Sequence, residues 1–126
     1  MAPARALASL LYFSHWLLEL ALGLIKLRGR YQHETPGSRS PRSEMYVRHH
    51  AFSILALSLL GFLVWFDGIE STPFGLHCSA CFALFHGGAV FSFLYAYTNG
   101  AIPFGKVLVP HFPWFAGFLL HYFRVF

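Results

Sequence analysis

Charge is scarce in this chain. Asp, Glu, Lys and Arg make up 11% of its 126 residues, and only five residues are acidic. A soluble domain carries about 25% charged residues, so water is a poor solvent for such a surface. Cysteine is nearly absent too, and two cysteines cannot build a disulfide-stapled secreted scaffold or a four-cysteine zinc site. No Gly-rich phosphate loop, HExxH pair or nucleophile elbow occurs, which removes the usual sequence signs of nucleotide, zinc-protease and esterase chemistry. β-branched residues are few beside fifteen Phe, and the short alternating segments of a membrane β-barrel are missing.

What the chain has is long apolar runs. A helix needs about 20 apolar residues to cross the hydrocarbon core. Four stretches approach that length: 7–27, 47–66, 76–97 and 107–125. Pro110 and Pro113 interrupt the start of the last, where a missing backbone donor predicts a kink or a delayed start. The expected fold is therefore an all-α integral membrane protein, a single domain of four transmembrane helices. Trp16, Trp65, Tyr46, Tyr97, Trp114 and Tyr122 fall mostly toward span ends, where amphipathic rings prefer to sit.

Segment 28–46 is the one long hydrophilic connection. With Lys26 and Arg48 it holds six of the nine basic residues. The connection around Asp67 and Glu70 is acidic. The positive-inside rule then predicts that 28–46 and Lys106 face the cytosol or matrix, with both termini on the opposite side, by seven basic residues to Arg5 and Arg124. The rule holds alike in inner mitochondrial, endoplasmic-reticulum and bacterial inner membranes. The first run is too long for a cleaved signal peptide and is interrupted by Glu19, so a retained signal-anchor is expected. Basic residues beside a span attract anionic lipid; confined to one membrane-flanking loop, they point away from nucleic acid.

Ionisable residues at bilayer depth are costly, about 2.5–3.5 kcal/mol each on insertion scales. His15, Glu19 and His86 are such residues. Tyr12, His15, Glu19, Gly23 and Lys26 recur at helical spacing and share one face, which should point into the protein or a partner subunit. In the third run, Ser79, Ala83 and Gly87 form one row of small residues, and Ala80, Gly88, Ser92 and Ala96 form a second. Such rows let helix backbones approach closely. His15 and His86 fall at similar predicted depth, the arrangement of a bis-histidine haem b, although no cofactor is required by the pattern. Cys78 and Cys81 have redox-pair spacing, and with His77 they lack the fourth ligand of a structural zinc site.

The architecture looks like that of small four-span proteins that serve as accessory subunits, anchors or chaperones in larger membrane complexes. That resemblance implies a non-catalytic subunit packing through its third and first helices against other membrane subunits or a second copy. The alternatives are a haem- or quinone-binding anchor of a redox complex using His15 and His86, or a small-molecule or lipid-binding protein or transporter.

Overall fold

The computed structural model describes residues 2–28, 40–100 and 111–126, and regular structure among them is entirely helical. Four helices occur in these residues: α1 (Ala2–Leu27), α2 (Pro41–Phe66), α3 (Pro73–Thr98) and α4 (His111–Tyr122). The first three have 26 residues each, about 39 Å at 1.5 Å per residue. Their stretches Ala4–Leu27, Glu44–Phe66 and Pro73–Thr98 are long and apolar enough to cross a membrane. Only 28% of each stretch is buried within the chain, so most of their apolar side chains face outward.

Each of the long helices outruns its apolar core. α2 begins six residues before the predicted span and takes in the end of the basic segment. Pro41 suits a first helical position because its missing N–H has no helical partner there. Ser40 accepts the Glu44 N–H (3.0 Å) through its carbonyl, and Arg48 pairs with Glu44 one turn on (3.3 Å). α3 has the clearest start. Thr72 is its N-cap, with extended backbone (φ −76°, ψ 164°) and Pro73 following. The Gly75 N–H donates to the Thr72 hydroxyl (3.2 Å), which satisfies one of the orphan donors of the first turn. Gly75 itself is forced by space: a Cβ there would run into the carbonyl oxygens of Ile69 and Glu70.

The fourth helix is shorter than its predicted span. It starts at His111 and has 12 residues, about 18 Å; positions 107–110, with Pro110, lie outside the described residues. Pro113 falls in its first turn, where the absent donor breaks no helical bond. The other end closes on a Schellman motif. The Val125 N–H donates to the Leu120 carbonyl (3.0 Å) and the Arg124 N–H to the His121 carbonyl (2.9 Å), with Arg124 at φ 57°. Glycine usually occupies that left-handed position. A side chain there costs about 1–2 kcal/mol.

Two compact units make up the chain: Met1–Leu11 with Asp67–Phe126, and Tyr12–Phe66. In the second unit, α1 and α2 form an antiparallel hairpin. Phe13 packs on Trp65 (ring centroids 5.2 Å) and Trp16 on Phe62 (5.3 Å) and Trp65 (6.0 Å). Deeper along the pair, the Ser58 hydroxyl donates to the Trp16 carbonyl (2.8 Å), and a Cβ on Gly23 would approach the Leu55 side chain to 2.6 Å. Trp16 is thus a mid-helix packing residue and not a residue of the span end. The buried α2 positions Val47, Ala51, Ile54 and Ser58 repeat every three or four residues, one helical face.

Candidate functional site

In the first unit, α3 and α4 run antiparallel and meet along a ladder of histidine and aromatic rings. Its α4 rail is His111, Trp114, Phe118 and His121, spaced three, four and three residues apart, which places them on one helical face. The α3 rail is Ser79, Phe82, His86 and Phe93. At the end near the 67–72 connection, Ser79 Oγ lies 2.7 Å from His121 Nδ1 and donates to the Gly75 carbonyl (3.2 Å). A hydroxyl has one proton, so with Ser79 donating to Gly75 it is the His121 Nδ1–H that donates to Ser79. One turn further, Phe82 and Phe118 pack with centroids 4.9 Å apart. Ser79, Phe82, His86, Phe118 and His121 are all at most 1% exposed.

His86 forms the centre of the ladder. Its ring lies parallel to Phe118 (4° between planes), 5.4 Å from Trp114 and edge-on to Phe85. Its Nδ1 is 3.0 Å from Nδ1 of His111, whose ring stacks on Phe93 at 5.4 Å. This geometry takes one Nδ1–H donor and one lone-pair acceptor, so the two rings share a single proton along that line. Two imidazoles joined in this way can pass a proton between them or fix each other's tautomer. Gly87 is packed beside them, with Phe115 atoms 3.0 Å from where its Cβ would stand.

The polar face predicted on α1 is buried. In the second unit, Tyr12 and His15 are fully buried and Glu19 is 1% exposed; Gly23 is buried and Lys26 half-buried. A ring nitrogen of His15 and a carboxylate oxygen of Glu19 lie within 4.8 Å, as expected for residues one turn apart. The two cysteines are free thiols in different surroundings, Cys78 buried and Cys81 exposed. His77 is exposed.

The two small-residue rows of α3 have different fates. Ser79, Ala83 and Gly87 belong to the side that meets α4. In the second row, no atom of the described residues outside its own helix comes within 4 Å of the Gly88 Cβ position, and the exposed Ser92 turns its hydroxyl back onto the Gly88 carbonyl (2.8 Å). Neither His111 nor His121 has an acidic neighbour along the chain. Their partners come from α3 instead, and the signal that marks them is the 111–114–118–121 ring spacing. Compared with protein-family models, curated proteins and solved structures, the chain matches none.

Proposed function

We propose that the protein is an integral, multi-pass membrane protein acting as a non-catalytic subunit or assembly factor, with the outer face of α3 receiving a transmembrane helix of a partner subunit. The observation that carries this reading is Gly88. Glycine inside a helix costs about 1 kcal/mol relative to alanine. At Gly87 that cost is offset by Phe115, which occupies the space a side chain would take. At Gly88 no described residue takes the space. Around it runs an exposed stripe with alternating steps of three and four residues, Cys81, Leu84, Gly88, Phe91 and Tyr95, with Leu84 79% and Phe91 73% exposed. That spacing is the seam a second helix reads, and a glycine at its centre is what close backbone approach requires. Ser92, bonded within its own helix, brings no unmet hydroxyl to the seam.

The test separates the two glycines. Gly87→Leu should destabilise the chain itself, because the leucine collides with Phe115. Gly88→Leu should leave the isolated chain folded and inserted, yet lose the partners that co-purify in mild detergent. An unchanged complex on a native gel for Gly88→Leu overturns the reading, and a shift to a homodimer in the wild type would replace the partner with a second copy. The redox alternative is supported by the buried His86 in its aromatic surroundings. A sharp α-band in the reduced spectrum that vanishes in His86→Ala would put haem there in place of a purely structural ladder.

A further inference from the structure

A cavity of about 860 Å³ opens in the first unit where the start of α1, the 67–72 connection and the end of α4 come together. Its size lies in the range of small-ligand sites, about 300–1,000 Å³. Arg5, Ser9, Ser71, His121 and Arg124 supply its polar wall, with Leu76 and Phe126 among its apolar lining. Among the described residues neither arginine side chain makes an ion pair or a hydrogen bond. Arg5 extends its guanidinium toward the connection, with Nη2 3.8 Å from the Cβ position of Gly68. Glu70 is buried, and its carboxylate acts electrostatically on His121 of the wall.

Two arginines line one hollow, and the positive charge they bring to it favours an anion there. Arg124 adds a second indication. It is the one non-glycine residue at positive φ among the described residues, so the fold retains an arginine where glycine would sit without strain. Strain kept at a cavity wall is characteristic of a binding role. Guanidinium forks match phosphate oxygens bidentately, and the hydroxyls of Ser9 and Ser71 complete a donor set. Arg5 stands beside the first residue of the apolar part of α1, Ser71 just before α3 and Arg124 just after α4. In a bilayer these helix ends lie at headgroup depth.

We propose that this cavity binds a phosphoester anion between Arg5 and Arg124, either the headgroup of an anionic phospholipid or a soluble phosphate ester. The cavity wall shares no residue with the partner seam on α3. The full chain is purified and reconstituted in phosphatidylcholine vesicles with and without phosphatidylglycerol, and the lipid retained after detergent extraction is quantified. In a parallel arm, inorganic phosphate and glycerol phosphate are titrated against thermal unfolding. Arg5→Gln and Arg124→Gly should each lower retained phosphatidylglycerol by about tenfold, one lost bidentate contact. Ser53→Ala, on α2, should not. Arg124→Gly should also raise Tm, since glycine relieves the left-handed backbone, which separates lost binding from lost folding. Stabilisation by the soluble phosphates that depends on both arginines would identify a soluble ester as the source. Retention and thermal response equal to wild type in both Arg5→Gln and Arg124→Gly overturn the proposal.

Discussion

At the scale of single residues, some buried polar groups are met by both a side chain and a backbone carbonyl. Ser79 is the clearest case, standing between His121 Nδ1 and the Gly75 carbonyl. Removing one partner strands the other in an apolar setting, which costs more than the bond itself contributes. Ser79→Ala should therefore destabilise by about 1–3 kcal/mol. The double variant with His121→Phe should recover part of that loss. The coupling between the two, read from a double-mutant cycle of thermal unfolding in detergent, should fall near 0.6–1.7 kcal/mol, the range for hydrogen bonds between membrane helices. Additive single losses would mean that the two side chains do not act as a pair. Helical spacing alone revealed that Tyr12, His15, Glu19 and Gly23 share a buried face. The partner of His86 was not legible, because a contact between residues 25 apart depends on the antiparallel register of α3 and α4.

At the scale of elements, the apolar runs located three long helices, since a run of that length has few other stable forms in lipid. Their ends were less visible. Apolarity marks the part of a helix suited to hydrocarbon, while capping and proline placement decide where the helix begins, as at Thr72–Pro73 and Ser40–Pro41. The small rows of α3 announced a packing helix without saying which row packs at home. That assignment came from α4, where Phe115 stands against Gly87 and His121 against Ser79. Phe118 meets both Phe82 and His86 and is fully buried. Phe118→Ala should cost about 3 kcal/mol, measured as a fall in Tm, and should destabilise the α3–α4 pair more than truncation of the exposed Phe91. Equal small effects at both positions would deny the ladder its role as the core of this unit.

At the scale of the whole molecule, the prediction concerns where α3 lies. Cys78 is buried and Cys81 exposed, so unfolded chain should react at two thiols and native chain at one. Cys81 stands eight residues beyond Pro73, about 12 Å along the helix. In vesicles a lipid-soluble maleimide should label it while a charged, impermeant one should not, and Cys81→Ser should abolish the native labelling. Rapid reaction with the charged reagent would remove α3 from the hydrocarbon layer and with it the membrane reading. Function was the least legible property at this scale. Hydropathy states the solvent of a surface, whereas a partner or ligand is specified by a few positions, such as Gly88 or Arg124, whose meaning depends on neighbours distant in sequence.

The tryptophan pair of the α1–α2 hairpin has a consequence of a different kind. With ring centroids 6.0 Å apart and planes 35° from parallel, the indoles of Trp16 and Trp65 are close enough for their electronic transitions to mix. A skewed pair of coupled chromophores gives a circular-dichroism couplet of opposite-signed lobes, which neither indole produces alone. Closure of the hairpin therefore writes its own optical signature, readable during refolding into lipid without any added probe.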